Sequence, residues 1–194
     1  MSAHRLLIIA GTSGVGKSTL SARVASSLGF SKIVSTDTIR ETLRTQHDRD
    51  QSPALHRSSF EPAGSDAIED WHQTVAVLSE AVSAVVNRAA TKSSDLLLEG
   101  VHIIPEEKLL EKWRRSGGKA CGIVLRVDDK KTHQDFIRSR EKHNRKGVAH
   151  YLGNLDRIRK IQNCMVSDSK QSNWLSIDAS IDENPIGLIE DSFE

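Results

Sequence analysis

A glycine-rich segment near the start of this chain constrains its fold more than any other feature. Residues 11–18 read Gly-Thr-Ser-Gly-Val-Gly-Lys-Ser and fit the pattern G-x-x-x-x-G-K-[S/T] at every position. An apolar run, Leu6 to Ala10, precedes this segment, and a helix-forming pattern from Ser18 to Ala25 follows it. Strand, loop and helix in this order predict a loop whose backbone amides surround phosphate groups.

The residue types within the loop suit a nucleoside triphosphate. Gly11, Gly14 and Gly16 tolerate backbone angles that a Cβ atom would resist, so that successive amides can turn toward a phosphate. Lys17 is expected near the β- and γ-phosphates of ATP, and the Ser18 hydroxyl is expected to bind the accompanying Mg²⁺. The predicted nucleotide-binding residues are Gly11, Thr12, Ser13, Gly14, Val15, Gly16, Lys17, Ser18 and Thr19.

Composition argues against several classes of function. A formal net charge of +1, from 27 basic and 26 acidic side chains, offers no general attraction to nucleic acid or to an anionic membrane. Cys121 and Cys164 match no metal-binding spacing and cannot form a disulfide framework, which favours a reducing cytoplasm. The apolar run after the N-terminus is too short for a signal or membrane helix. A length of 194 residues favours a single domain.

Apolar runs alternate with helical patterns along the chain, which predicts a three-layer α/β P-loop NTPase fold with a five-stranded parallel sheet and helices on both faces. Apolar residues from Ile68 to Ala89 recur at spacings of three and four, which predicts one long amphipathic helix. Further helices are expected over 129–141 and 152–166. The five predicted strands are Leu6–Ala10, Lys32–Ser35, Asp95–Glu99, Ala120–Val127 and Trp174–Ile177.

Two segments without regular periodicity are expected to cover a binding site. Residues 46–64 contain Pro53 and Pro62 and are predicted to form a long loop that closes the acceptor site. Residues 142–150 are polar around a central glycine and are predicted to form a mobile lid.

Asp37, Arg40 and Arg44 are the first candidates for binding a phosphoryl acceptor. Asp37 follows the second predicted strand at the carboxyl edge of the sheet, where it could accept a hydroxyl proton or hold a magnesium-bound water. Arg40 and Arg44 share one face of the next helix, and each guanidinium offers two parallel donors to an anion. The alternatives are helix capping around Asp37, with Thr38 and Glu41 as a capping box, and a solvated helix face for the arginines.

Glu99, Gly100 and His102 are candidates at the end of the third predicted strand. This strand should lie beside the one that precedes the phosphate loop, and a carboxylate buried there needs a partner such as Lys17 or a magnesium-bound water. Gly100 is expected where a side chain would obstruct a ligand. His102 is either an acceptor contact or a satisfied loop residue.

Arginines around the predicted lid are candidates for neutralising charge between donor and acceptor. Arg138 and Arg145 are the catalytic candidates, and Arg140 and Arg159 are further members of the group; the alternative is that most are solvated. With the two carboxylates, these cations predict a kinase that transfers the γ-phosphoryl group of ATP to a hydroxyl of a small anionic metabolite. Residues 91–95 do not fit the guanine-binding element, which disfavours a GTPase.

Three segments, 11–19, 35–40 and 98–102, together resemble the 2-phosphoglycerate kinase family, and the segments 53–60, 151–152 and 158–162 extend the resemblance over most of the chain. The resemblance implies a P-loop fold and ATP-dependent phosphorylation of 2-phosphoglycerate to 2,3-bisphosphoglycerate. The chain departs from the family pattern at two places. It has His150 where the family has an arginine before the tyrosine, and in the late strand Ile177 and Asp178 only approximate the family's Ile-x-Asn stretch.

Other functions stay open from the residues alone. The same groups could serve a gluconate-like, shikimate-like or phosphosugar acceptor. A regulatory module that binds ATP and hydrolyses it slowly is a second possibility. A nucleic-acid 5′-kinase or a toxin acting on a nucleotide sugar is a third, and the near-neutral charge with only three Trp, one Tyr and four Phe disfavours nucleic acid.

Overall fold

A parallel β-sheet forms the centre of the computed structural model, which describes residues 3–142 and 147–193. Five strands of the described residues are hydrogen-bonded in the order β2-β3-β1-β4-β5, and all neighbouring pairs are parallel. Each strand lies within one residue of its predicted bounds, which confirms the predicted sheet. The strands are β1 (Arg5–Ala10), β2 (Ile33–Ser35), β3 (Leu96–Gly100), β4 (Lys119–Arg126) and β5 (Leu175–Asp178).

Helices connect the strands, as a parallel sheet requires. A short 3₁₀ helix, Pro53–His56, interrupts the long loop predicted over 46–64. The α-helices of the described residues are α1 (Lys17–Leu28), α2 (Thr36–Arg44), α3 (Ala67–Ala76), α4 (Ser79–Thr91), α5 (Glu107–Arg115), α6 (Lys130–Glu141), α7 (Val148–Gly153), α8 (Leu155–Gln171) and α9 (Pro185–Asp191).

The central strand β1 is buried on both faces, because its side chains alternate between two hydrophobic cores. Leu6 and Ile8 belong to one core together with Trp71 of α3. Leu7 and Ile9 belong to the other core, which α1 and α9 help to close. The predicted three-layer arrangement, with helices on both faces of the sheet, is therefore confirmed.

Two predicted helices are each divided in two. The helix expected from Ile68 to Ala89 ends at Ala76 and resumes at Ser79, because a tight turn from Leu78 N–H to Val75 O keeps Leu78 in the core and leaves Val77 exposed.

The helix expected over 152–166 is interrupted in the same way, and it belongs to a longer helical region. A break at Asn154, directly after Gly153 at the end of α7, separates α7 from α8, and α8 continues to Gln171. Both residues are poor helix formers. The side-chain amide of Asn154 donates to the carbonyl of His150 (2.9 Å), which closes the last turn of α7.

Strand register brings the phosphate loop and β3 together at the carboxyl edge of the sheet. Ile9 pairs with Glu99, Ala10 pairs with Gly100, and the amide of Gly11 donates to the carbonyl of Gly100 (3.3 Å). The expectation that Glu99 lies beside the strand preceding the loop is confirmed. No helix in the described part of the chain is both long and apolar enough to cross a bilayer.

Candidate active site

The glycine-rich loop has the backbone geometry of a phosphate-binding loop. Gly14 (φ 83°) and Gly16 (φ 90°) adopt left-handed conformations that favour glycine. A Cβ atom at Gly14 would also lie 2.4 Å from Cγ1 of Ile137 in α6, so this position is closed by packing as well. Helix α1 begins at Lys17 directly after the loop, and its N-terminal amides therefore face the position of a bound phosphate.

Lys17 lies folded into the loop. Its Nζ donates to the carbonyl oxygen of Thr12 (2.9 Å). Burial lowers the pKa of Lys17, and the carboxylates of Glu99 and Asp37 oppose that shift. The ammonium is therefore buried near both carboxylates that were predicted at the site.

Ser18 and Glu99 present two oxygen atoms side by side. The Ser18 hydroxyl donates to Oε1 of the buried Glu99 (3.3 Å). A hydroxyl and a carboxylate are hard oxygen ligands of the kind that Mg²⁺ prefers, and Mg²⁺ commonly completes its shell with water and nucleotide phosphates. Across residues 3–142 and 147–193 no cluster of three or more His, Cys, Asp and Glu forms an all-protein metal site. The donor set therefore fits a nucleotide-borne Mg²⁺.

Two cavities of different size meet at the loop. The larger has a volume of about 690 Å³ and the smaller about 240 Å³, and both are lined by Lys17, Ser18 and Arg140. The larger cavity is otherwise lined by Gly14, Val15, Gly16, Thr19, Leu20, Arg23, Leu125, Phe136, Ser139, Ile177, Ala179, Asp182, Glu183 and Pro185. The smaller cavity is otherwise lined by Ser13, Asp37, Arg40, Ser58, Ser59, Phe60, Glu99, Val101 and Tyr151.

Asp37 and Arg40 form one wall of the smaller cavity. Nη2 of Arg40 lies 3.2 Å from Oδ1 of Asp37, and Nη1 donates to the carbonyl of Arg57 (3.3 Å). The Asp37 side chain is 59% exposed, whereas that of Arg40 is only 10% exposed. The guanidinium is thus held by the protein while the carboxylate stays accessible to a ligand.

Helix α2 is capped, but not by the predicted Thr38–Glu41 capping box. Ser35 is the N-cap of α2, and its hydroxyl oxygen accepts a hydrogen bond from the amide of Asp37 (3.2 Å). Thr38 and Glu41 do not form a capping box; Glu41 instead pairs with Arg44 (2.7 Å). Because Ser35 supplies the cap, the carboxylate of Asp37 is available at the cavity.

Arg44 and Arg138, both predicted at the site, lie outside the two cavities. Arg44 donates from Nε to the carbonyl of Leu55 (2.8 Å) and therefore anchors the long loop to α2. Arg138 pairs with Asp135 one turn earlier in α6 (2.8 Å).

Residues 143–146 are outside the described part of the chain, and Arg145 is among them. Of the predicted lid, 142–150, the structure describes residue 142 and residues 147–150, and α7 begins at Val148. The proposed role of Arg145 and the mobility of the lid therefore stay predictions.

Gly100 and His102 are buried against α2 and do not line either cavity. A Cβ atom at Gly100 would lie 1.8 Å from Oγ1 of Thr36, so the packing of α2 on β3 requires the glycine. The expectation that Gly100 leaves room for a ligand is therefore wrong. Nδ1 of His102 lies 3.1 Å from the same Thr36 hydroxyl. Burial lowers the pKa of His102 to about 3, so its imidazole is neutral near pH 7.

The loop predicted over 46–64 does line the smaller cavity, but the sequence analysis named none of its residues as a contact and missed Tyr151 of α7. Ser59, Phe60 and Tyr151 line this cavity, although only their resemblance to family segments drew attention to them. Arg140, and not Arg138, is the arginine of α6 that reaches both cavities. A helical wheel places these two arginines on different faces of α6, but the periodicity of the helix does not say which of those faces meets the cavities.

Curated proteins named 2-phosphoglycerate kinase are similar to this chain. The protein from Methanopyrus kandleri is 28% identical over 193 residues, which cover 92% of this chain and 58% of that protein. The protein from Methanothermobacter thermautotrophicus is 29% identical over 181 residues, covering 86% of this chain and 58% of that protein. The chain therefore spans less than two thirds of the length of these relatives. The predicted resemblance to this family is confirmed.

Solved structures with a similar fold are kinases. A protein from Chloroflexus aurantiacus with a provisional kinase assignment superposes with a TM-score of 0.56 at 17% identity, covering 98% of this chain and 96% of that chain. Shikimate kinase from Bacteroides thetaiotaomicron superposes with a TM-score of 0.51 at 16% identity, covering 99% of this chain and 95% of that chain. These likenesses confirm the P-loop kinase fold.

The family model described as an AAA domain, AAA_33, matches residues 6–160, from the first strand through the first turn of α8. The match includes the phosphate loop, α2, the end of β3 and α6, each of which lines at least one of the two cavities. This chain belongs to the AAA_33 family of P-loop proteins.

Proposed function

We propose that this protein is an ATP-dependent kinase that phosphorylates a hydroxyl group of a small anionic metabolite, with 2-phosphoglycerate as the leading acceptor and 2,3-bisphosphoglycerate as its product. The observation that carries the proposal is the meeting of a large and a small cavity at Lys17, Ser18 and Arg140. A phosphoryl transfer requires a donor and an acceptor held in line across the transferred group, and two cavities with a common cationic junction suit that requirement.

The larger cavity suits the nucleotide. The phosphate loop forms one end, where its amides and the N-terminus of α1 would bind the phosphates. Leu125, Phe136 and Ile177 supply apolar surface farther along the same cavity, which suits a nucleobase. Ser18 and Glu99 would hold Mg²⁺, which when bound offsets negative charge on the phosphates.

The smaller cavity suits a compact anion. Its volume of about 240 Å³ is below the usual range of cavities for drug-sized ligands, which favours an acceptor of a few carbons. Lys17, Arg40 and Arg140 bring three cations to it against the carboxylates of Asp37 and Glu99. A phosphate or carboxylate on the acceptor would satisfy this excess of positive charge.

The chemistry follows from the position of Asp37 at the cavity wall. The acceptor hydroxyl oxygen forms a bond to the γ-phosphorus of ATP while its proton passes to the Asp37 carboxylate. The bond from the γ-phosphorus to the bridging oxygen breaks, and ADP leaves with that electron pair. Lys17 and Arg140 neutralise the charge that develops between the two substrates. Glu99 acts as the second carboxylate and orients Ser18.

The names of the curated relatives support the choice of acceptor. Proteins named 2-phosphoglycerate kinase match 86% to 96% of this chain at 25% to 29% identity. This likeness, together with the charge and size of the smaller cavity, supports 2-phosphoglycerate as the acceptor.

A panel of acceptors tests the proposal. Phosphorylated and unphosphorylated hydroxy acids, including 2-phosphoglycerate, 3-phosphoglycerate, gluconate and shikimate, are incubated with the protein, ATP and Mg²⁺, and ADP release and product mass are measured. We expect 2-phosphoglycerate to accelerate ADP release and to yield a product heavier by one phosphoryl group. Faster turnover with gluconate or shikimate than with 2-phosphoglycerate would contradict 2-phosphoglycerate as the acceptor. ADP release that no acceptor accelerates would favour a regulatory ATP-binding module.

A further inference from the structure

We infer that Tyr151 is a positioning residue that holds the guanidinium of Arg140 at the junction of the two cavities. The inference rests on the proposed function for its catalytic consequence, but the contact itself can be tested without turnover. Tyr151 lies in α7, and Arg140 lies near the end of α6, so the contact joins the two helices that flank residues 143–146.

Two contacts join these side chains. Nη2 of Arg140 donates to the phenolic oxygen of Tyr151 (3.1 Å), and the guanidinium carbon lies 5.1 Å from the centre of the tyrosine ring. A hydrogen bond to the oxygen and a cation–π contact to the ring restrain both the distance and the orientation of a planar guanidinium. A phenylalanine would retain only the second contact.

Arg140 needs such a restraint more than its neighbours do. Its side chain is 47% exposed and has several rotatable bonds, so a free guanidinium would sample many positions. Among the described residues, Arg140 also forms an ion pair between Nε and Oε1 of the adjacent Glu141 (3.2 Å). Tyr151 contacts the terminal nitrogen, which is the part of the side chain that would face a transferred phosphoryl group.

Tyr151 is itself rigidly packed. It is 5% exposed, and its ring centre lies 5.3 Å from that of Phe60. His150 contacts both rings, at 5.3 Å from Phe60 and 5.5 Å from Tyr151. Tyr151 is therefore a fixed support, held by the end of the long loop.

The loop end that supports Tyr151 is anchored in turn. Arg157 of α8 donates to the carbonyl of Phe60 (2.9 Å) and to the carboxylate of Asp70 (2.5 Å). Asp70 is 1% exposed and also accepts from the amides of Ala63 and Gly64. Because Phe60 and Tyr151 both line the smaller cavity, the support of Arg140 belongs to the wall that an acceptor would contact.

A double-mutant cycle tests whether Tyr151 acts through Arg140. Acceptor-dependent turnover is measured for the parent protein, Tyr151→Phe, Arg140→Ala and the double variant, with thermal unfolding as a check on folding. We expect Tyr151→Phe to lower kcat about tenfold, with little change in KM for ATP, because one hydrogen bond to a charged group is lost. In the Arg140→Ala background the Tyr151→Phe substitution should have almost no effect on kcat, because the effects of substituting two interacting residues do not add.

Two outcomes of the cycle would overturn the inference. A tenfold loss in both backgrounds would mean that the Tyr151 hydroxyl acts directly on the acceptor. No loss in the parent background would mean that the hydrogen bond has no role. Arg115→Ala on α5 is the matched control, because this arginine is exposed and pairs with Glu111, far from both cavities.

A second measurement does not depend on turnover. Tyr151 is the only tyrosine of the chain, so biosynthetic incorporation of 3-fluorotyrosine labels one site, and its ¹⁹F resonance reports ionisation of that phenol. Burial raises the pKa of Tyr151, Arg140 lowers it, and Glu141 and Asp37 raise it. Removing Arg140 should therefore raise this pKa further, whereas Arg115→Ala should not change it.

The two measurements separate the inference from the proposed function. Equal phenol pKa values in the parent and Arg140→Ala proteins would overturn the inference whatever the enzyme's activity. A higher pKa in Arg140→Ala, together with no acceptor-dependent turnover in the parent protein, would support the contact and contradict only the proposed function.

Discussion

The two cavities differ in how the chain builds them. One end of the larger cavity is a continuous segment, with Gly14 to Leu20 as neighbours in sequence and in space. The smaller cavity is assembled from the loop, α2, the long loop, β3, α6 and α7. The geometry of a local motif is set by its own residues and by the strand and helix on either side of it. A cavity lined by distant segments forms only when the whole chain has folded.

This difference has a consequence for substitutions. Lys17 belongs to both cavities, so its loss should affect every step of transfer. Arg40 belongs to the smaller cavity alone, and His102 lies behind its wall. The effects of changing these residues should therefore decrease in that order and become more selective.

Lys17→Ala should have the largest effect. We expect acceptor-dependent turnover to fall by about 10³-fold or more, because the cation between donor and acceptor is removed from the transition state. Steady-state kinetics measure the loss, and thermal unfolding checks that the variant is folded. Normal turnover in a folded Lys17→Ala protein would show that the junction of the cavities is not the site of transfer.

Arg40→Ala should affect the acceptor selectively. We expect KM for an anionic acceptor to rise about 10- to 100-fold, as for a lost hydrogen bond to a charged group, while KM for ATP changes little. Arg44→Ala is the informative comparison, because Arg44 lies one turn further along α2 and binds Leu55 and Glu41 outside the cavity. Equal rises in KM for both substrates of Arg40→Ala would contradict a purely acceptor-side role.

Substituting His102 should have the smallest effect, and the effect should appear in the free energy of unfolding. Its pKa is about 3 in the folded protein because burial disfavours the imidazolium, against an ordinary value of 6.5. Asp37 opposes this shift, and Arg40, Lys17 and Arg44 add to it. As the pH falls below 6.5, the unfolded chain binds a proton that the folded protein does not, so stability should decrease by up to about 1.4 kcal/mol per pH unit until the pH approaches 3.

Urea unfolding at pH 7, 6 and 5 measures this dependence. The His102→Asn variant should show a flatter decline over that range, even if it is less stable at pH 7, because it lacks the titrating group. The pKa of buried His133 is also lowered, so the comparison with the variant, and not the slope of the parent alone, identifies His102. Parallel profiles for the two proteins would contradict the prediction.

Local sequence patterns predicted the sheet and the phosphate loop well. Each strand was placed within one residue, because buried parallel strands appear as short apolar runs between helices. The long helix over Ile68 to Ala89 was wrong, because its apolar stripe continues through a turn that only hydrogen bonding at Leu78 defines. The role of Gly100 was missed because its contact, Thr36, lies in α2, far from Gly100 in sequence. His102 contacts the same Thr36 hydroxyl, which accords with the loop-residue alternative and not with an acceptor contact.

The arginines illustrate the limit of sequence reasoning most clearly. Arg40 and Arg44 share a helix face, yet one reaches the cavity and the other anchors Leu55. Arg138 and Arg140 are two residues apart, yet only Arg140 meets Tyr151 and lines both cavities. The type of side chain indicated phosphate chemistry, but the partner of each guanidinium depended on segments that lie far away in the chain.

By itself the sequence determined the P-loop, the order of strands and helices, and the class of ligand that the loop can bind, because these depend on residues next to one another. The tertiary structure alone decided the size of the smaller cavity and which cations reach it. The reason is physical: backbone conformation follows from local sterics and hydrogen bonding, whereas a cavity is the space left when distant segments pack, and each of its walls is specified by a different part of the chain.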